Sequence, residues 1–139
     1  MAIREIIKDT DILTQKSATF VFGEDEAIIQ DLLDTAAAHM ENCAGLAAIQ
    51  IGVPKRVVVV REGNQFIPYI NPVIIKRSRE SYSATEGCLS LDGPRTVRRY
   101  RSVMVSYTTA GGKKKSKTFD GLVAEILQHE IDHCNGILI

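Results

Sequence analysis

The chain has 139 residues, of which 45% are hydrophobic and 24% charged, a balance that fits one globular domain spanning 1–139 and excludes a disordered or fibrous chain. Its 17 basic and 17 acidic side chains cancel, so no net field draws the protein to nucleic acid or to an anionic membrane. No run reaches the ~20 apolar residues of a membrane span, and Met1-Ala2-Ile3-Arg4-Glu5 lacks the basic-then-apolar layout of a secretory signal. Cys43, Cys88 and Cys134 are odd in number and widely spaced. That is no disulfide framework, and it points to a reducing cytoplasm.

Residues 24–42 carry Ile28, Ile29, Leu32, Leu33, Ala36, Ala37 and Met40 at three- and four-residue spacing, which predicts a helix with His39 as an ordinary surface or core residue on it. Gly45 and Gly52-Val53-Pro54 break the pattern. Within 55–61, Val57-Val58-Val59-Val60 is a β-branched run that predicts a strand buried on both faces. Residues 66–76 read as extended, with Pro68 and Pro72 marking an edge or bends. A polar stretch without periodic signal follows from Arg77 to Thr85. Val103, Val105 and Tyr107 then alternate with polar residues, and Gly111-Gly112 turns the chain into a strand over Lys115–Phe119. Lys113-Lys114-Lys115 and Lys117 read as a solvated hairpin tip. Asp120 is placed to cap a final helix through Leu122, Val123, Ile126, Leu127 and Glu130, and Gly136 fits the position just past its end. Helix, strands, helix, without regular alternation, predicts an α+β fold.

The final helix contains His129-Glu130-Ile131-Asp132-His133. Residues four apart stack on one helix face, so both imidazoles can reach one metal ion, with Glu130 beside them to take a proton from water. A catalytic site of this type needs a third protein ligand. Cys134-Asn135-Gly136-Ile137-Leu138-Ile139 offers no distant His or Glu, so the ligand comes from upstream or is Cys134 itself. Cys134 points about 100° around the helix from His133 and reads better as a packed core thiol. Of the two upstream cysteines, Cys88 is favoured over Cys43, because Gly87 beside it lets a backbone approach closely.

Three segments together resemble the peptide deformylase family: Glu86-Gly87-Cys88-Leu89-Ser90, Gln128-His129-Glu130-Ile131-Asp132-His133, and Gly45-Leu46-Ala47-Ala48-Ile49-Gln50, the last matching most of a GxGxAAxQ motif. The resemblance implies Cys88, His129 and His133 as ligands of one divalent metal, Fe²⁺ in the cell, with Zn²⁺, Ni²⁺ or Co²⁺ possible after purification. One thiolate and two imidazoles also suit zinc on coordination grounds. It implies Glu130 as general base and then acid, and Gln50 with the Leu89 amide as donors to the developing oxyanion. The fold it implies has mixed or antiparallel strands around a central C-terminal helix, plus one N-terminal helix. N-formylated nascent peptides would lie extended against Ala44, Gly45, Gly87 and Leu89, with Arg95 at the pocket rim and Leu122, Ile126 and His129 lining a pocket for the first side chain.

The sequence departs from that pattern in several places. Cys43 stands where the motif has its first glycine, a strained choice if that position needs positive φ, and Ala44 replaces a larger aliphatic residue. Cys43 would also be an oxidation hazard near the site. Glu125 stands one turn before His129, where the family shows an apolar residue or arginine. Arg99 is expected to pair with Asp132 in support of the site. The C-terminal helix that many members use for ribosome docking is absent from this sequence, so a transient ribosome contact is expected only by another route. The leading expectation is hydrolysis of the formyl group from N-formylmethionyl peptides. The alternatives are a deformylase-like amidase of altered N-acyl peptide specificity and a non-catalytic metal-binding homologue.

Overall fold

A computed structural model describes residues 2–139. Its elements in chain order are a one-turn helix α1 (Thr10–Leu13), a helix α2 (Glu26–Ala38), a short strand β1 (Gly45–Ala47) running into a 3₁₀ turn (Ala48–Ile51), strands β2 (Val57–Glu62), β3 (Gln65–Arg77), β4 (Ser81–Cys88), β5 (Leu91–Tyr100), β6 (Ser102–Thr108) and β7 (Lys114–Asp120), and a closing helix α3 (Gly121–Cys134). The expected α+β architecture is present, with every strand pairing antiparallel.

Five strands form one sheet in the order β1-β2-β3-β6-β7, and β4 pairs with β5 alone. The valine run explains how the large sheet is covered. Val58 and Val60 pack in a cluster with Ala124, Leu127 and Ile131 of α3, whereas Val57 and Val59 pack with Leu32 and Ala36 of α2. Successive strand side chains point to opposite faces, so one helix covers each face and all four valines are fully buried. Each such side chain contributes about 1.5–3 kcal/mol of hydrophobic stabilisation.

Strand β3 lies inside the sheet, contrary to a plain edge position. Its first half pairs with β2 through Ile70 and its second half with β6 from Ile70 onward. Pro68 falls in the half with one partner only, and Pro72 falls within a register shift between Ile70 and Val73, next to Asn71 at φ 50°. The prolines therefore mark a bend where β3 changes partners. The lysines of 113–117 lead into and lie along β7, an edge of the sheet, where charge discourages pairing with another chain.

The polar stretch from Arg77 to Thr85 is not irregular. It contains most of β4, whose ladder with β5 runs from Ser81–Tyr100 to Cys88–Leu91. A two-stranded sheet has little stability of its own, and side chains tie this one to α3. Gln128 accepts from the Tyr100 N–H and donates to its carbonyl, and Tyr82 donates to Glu125.

Asp120 occupies the residue before α3, but its side chain makes no capping hydrogen bond, in contrast to the expectation. Gly136 does end the helix as expected. Its φ is 75°, and a Cβ there would lie 2.5 Å from the Thr14 carbonyl oxygen, so both backbone conformation and close approach require glycine.

Candidate active site

The HExxH helix is unusual in what it buries. Gln128, His129, Glu130 and His133 are all inside, among the apolar positions of α3. Strand β4 delivers Cys88 to them: a register shift between Glu86 and Cys88 irregularises the strand end, and such a bulge re-aims the side chain that follows. Ligand atoms of Cys88, His129 and His133 lie within 4.8 Å of one another. His133 Nε2 is 3.5 Å from Cys88 Sγ and 3.2 Å from His129 Nε2. Tetrahedral bonds of about 2.3 Å to sulfur and about 2.0 Å to nitrogen would set neighbouring donors roughly 3.3–3.6 Å apart. The three residues fit one metal ion.

The histidine chemistry agrees with that fit. His129 Nδ1 lies 2.7 Å from Glu86 Oε1, so this nitrogen carries a proton for the carboxylate and leaves Nε2 to face the other ligands. Burial alone would lower the His129 pKa, but hydrogen bonds to Cys88 and Glu86 and the charge of Glu130 carry it up to about 10. His133, buried and beside His129, is pushed down to about 3. The cluster thus attracts one positive charge, which a cation can supply in place of a proton.

Glu86 belongs to a chain of charges. Arg99 donates through Nε and Nη2 to the two Glu86 oxygens at 2.9 and 2.8 Å, and through Nη1 to Asp132 Oδ2 at 2.7 Å. Burial works to raise the Glu86 pKa, yet the bonds to His129 and Arg99 hold it down to about 2. The expected Arg99–Asp132 pair is present. The tie through Glu86 to His129 was not foreseen, although the need of a ligating histidine for an acceptor on its second nitrogen makes an acid beside the motif glycine the signal to look for.

A cleft of about 200 Å³ opens on this cluster, lined on one side by Cys43, Ala44 and Gly45, on the other by Thr85 to Leu89, and along α3 by Leu122, Glu125, Ile126, His129 and Glu130, with Gln50 at its floor. Glu130 is buried, its Oε1 has no partner among the described residues, and desolvation pushes its pKa up to about 7. A carboxylate so placed is suited to exchange a proton with a molecule entering the cleft. Gln50 accepts from the Ala47 N–H, which fixes the amide so that Nε2 donates to Cys88 Sγ at 3.3 Å and Ser90 Oγ at 3.1 Å. Leu89 sits in the two-residue turn after Cys88 and lines the cleft.

Gly45 has a steric reason to be glycine. A Cβ there would lie 2.7 Å from Ile126 Cγ2 and 2.9 Å from Glu130 Oε2. A Cβ on Gly87 would meet nothing within 4 Å, so that backbone is open to a ligand. Leu122 is 69% exposed and marks the mouth of the cleft, with Ile126 deeper. Arg95 is exposed, opposite Glu86 in the β4–β5 ladder, and is not brought to the lining.

Cys43 lines the cleft without backbone strain, because Asn71 is the sole non-glycine residue of positive φ among those described. Burial and the nearby Glu130 push its thiol pKa up to about 12, and Sγ donates to the Gly45 carbonyl. So little thiolate makes it a poor target for oxidation. Cys134 is buried in the core cluster with Leu127 and Ile131.

A family model described as polypeptide deformylase matches residues 3–139. The peptide deformylase of Clostridium beijerinckii is 45% identical over 137 residues, covering 99% of each chain, and that of Agrobacterium fabrum is 39% identical over 147 residues, covering 99% of this chain and 85% of its own. Among solved structures, the actinonin-bound class I type b peptide deformylase of Acinetobacter baumannii superposes with a TM-score of 0.89 at 32% identity, covering 99% of this chain and 96% of that one. The Met-Ala-Ser-bound form of the same protein gives 0.87 at 30% identity, with coverage of 99% and 96%.

Proposed function

The chain belongs to the polypeptide deformylase family, and from that membership we propose that it hydrolyses the N-terminal formyl amide of newly made N-formylmethionyl polypeptides, releasing formate. The observation that carries this reading is the convergence of Cys88, His129 and His133 on one point at the floor of a cleft that also presents Glu130 and Gln50.

Cys88, His129 and His133 would hold one divalent cation. When bound, it supplies Lewis-acid chemistry, polarising the scissile carbonyl and making water more acidic. Glu130 takes the proton from the attacking water on its carboxylate and passes it to the departing amine, a shuttle suited to a group poised near neutral pH. Gln50 Nε2 and the Leu89 N–H donate to the oxygen that gains charge at the reacting carbon, and the Ala47 bond to Gln50 holds that donor in place before the reaction. Burial keeps the Gln50 donor strong.

The peptide would lie extended along Ala44 and Gly45 on one wall and Gly87 and Leu89 on the other, its first side chain against Leu122 and Ile126. The Acinetobacter baumannii relative binds Met-Ala-Ser, a peptide that begins with methionine, which supports a peptide ligand of this kind. Ferrous iron is the expected ion in the cell on the family resemblance, and Zn²⁺, Ni²⁺ or Co²⁺ suit the same donors. The three free thiols fit a reducing cytoplasm, where nascent chains emerge, and brief contact with the ribosome would follow. No helix among the described residues is long and apolar enough to cross a membrane.

Formate release from formyl-Met-Ala, assayed on anaerobically purified protein, tests the reading. Turnover that requires bound metal supports it; metal-loaded protein that releases no formate overturns it.

A further inference from the structure

The cleft does not end at its Ala44 wall. A second cavity of about 470 Å³ adjoins it, and Asn42, Cys43, Ala44, Leu122 and Ile126 line both. Gln50, Cys88, His129 and Glu130 line the cleft and not the second cavity. That cavity therefore lies at the end of the cleft away from the reacting atoms. At Ala44 the wall they share carries only a methyl group.

The second cavity brings a cation to the cleft. Arg61 of β2 lines it, whereas no lysine or arginine among the described residues lines the cleft itself. Arg61 Nη1 donates to the Met40 carbonyl at 3.0 Å and Nε to the Gly63 carbonyl at 3.2 Å. Met40 and Gly63 belong to the same lining, so the guanidinium is held at the cavity wall. Two carbonyls orient it without cancelling its charge, and Arg61 enters none of the ion pairs among the described residues. Glu41, the acid of this lining, is exposed, where water screens it. Arg61 is half-buried. Burial and Glu130 raise the Cys43 thiol pKa and the Arg61 charge works against them, so that charge is felt inside the cleft.

We propose that Arg61 is a specificity-determining residue that binds a carboxylate on the third side chain of the N-formylmethionyl peptide. This rests on the deformylase reading and extends it beyond the first side chain. Successive side chains of an extended peptide point to opposite sides. With the first side chain against Leu122 and Ile126, the third faces the same way about 7 Å farther along, and the second faces away. That step leads from the metal ligands past Leu122 into the cavity that Arg61 lines. There the planar guanidinium, already fixed by Met40 and Gly63, meets an aspartate or glutamate with little further ordering.

The test compares kcat/KM for formate release by the holoenzyme from formyl-Met-Ala-Glu-amide and formyl-Met-Ala-Gln-amide, and from formyl-Met-Glu-Ala-amide and formyl-Met-Gln-Ala-amide. The terminal amides leave the side chain as the one carboxylate, and each Glu-to-Gln ratio isolates charge at one position. The third-position ratio should be about threefold to fivefold, as a half-exposed ion pair allows. It should drop to near one in Arg61→Gln and below one in Arg61→Glu, a reversal that mere loss of the carbonyl contacts does not produce. The second-position ratio should move less than about twofold in either variant. In the unaltered enzyme the third-position ratio should shrink toward one as ionic strength rises from about 0.05 to about 0.5 M, a measurement that stands if a variant fails to fold.

A third-position ratio at or below one in the unaltered enzyme, one unmoved by salt or by Arg61→Gln, one that stays above one in Arg61→Glu, or equal changes at both positions would overturn the proposal. Formate release from the glutamine peptides reports on the deformylase reading separately. Its presence with an unmoved ratio sinks only the role of Arg61; its absence from every peptide removes both.

Discussion

His129 Nδ1 and Glu86 Oε1 are 2.7 Å apart, and this contact joins the helix that bears two of the candidate ligands to the strand that bears the third. Arg99 holds Glu86 on its other side and reaches Asp132, so a single buried charge chain sets the histidine tautomer and keeps the β4–β5 hairpin on α3. Polar bonds give the direction that apolar packing lacks, which is what a ligand set requires.

Removing that contact should loosen the metal. Glu86→Ala is expected to weaken divalent-metal affinity by about 10–100-fold, measured by competition with a chelator of known affinity. An unchanged affinity would show that His129 is oriented by other groups.

Glu130 should matter to turnover and not to metal retention. Glu130→Gln keeps the shape of the side chain and removes its proton chemistry, and kcat should fall by about 10²–10⁴-fold with metal content unaltered. Parallel metal analysis and formate assays on the same preparation distinguish this from loss of the ion.

Gly45 should not tolerate a methyl group. In Gly45→Ala the new Cβ would press on Ile126 Cγ2 and Glu130 Oε2, and such overpacking typically costs about 1–3 kcal/mol. Because Glu130 is one of the atoms displaced, kcat/KM should fall by at least about tenfold, a loss to be read against the thermal melt of the same variant.

The sequence announced the chemistry more clearly than the scaffold. His129 and His133 are legible because four residues make one helical turn, and Val57–Val60 because only a strand covered on both faces buries four consecutive valines. Strands β4 and β5 were hidden. Ser81–Cys88 is mostly polar and only Ala84 is buried among its residues, so no alternating pattern arises. Gly87 and the motif around it favour Cys88 over Cys43 in the sequence, but the contact that brings Cys88 to His133 spans 45 positions, which local spacing does not encode. Glu86 could be read as part of a motif, but its partnership with Arg99 depends on the β4–β5 register. The Asp120 cap shows the opposite failing, a residue type that suited a role in a position where the structure makes no such contact.

The N-terminal segment predicts a pH effect away from the site. Asp31 on α2 accepts from the Ala2 N–H and from Nε and Nη2 of Arg4, and chiefly the Arg4 bond holds its pKa below the ordinary 3.8. A depressed carboxylate pKa stabilises the fold above the unfolded value and loses that contribution as pH falls through the folded one. Asp31→Asn should thus melt several degrees lower than the unaltered chain at pH 7, by about 1–2 kcal/mol for hydrogen bonds to a charged group, and the gap should narrow below the ordinary value. Equal melting temperatures at pH 7 would leave the Arg4 contact without energetic weight.

On the proposed reading, one cation held by Cys88, His129 and His133 makes this cleft a hydrolase. The most direct test is anaerobic titration of metal-free protein with Fe²⁺ while formate release from formyl-Met-Ala is followed. The rate should rise from near zero and level off at about one ion per chain, with no such rise in Cys88→Ser. Formate release that is undiminished in metal-free protein, or restored equally in Cys88→Ser, would contradict the account.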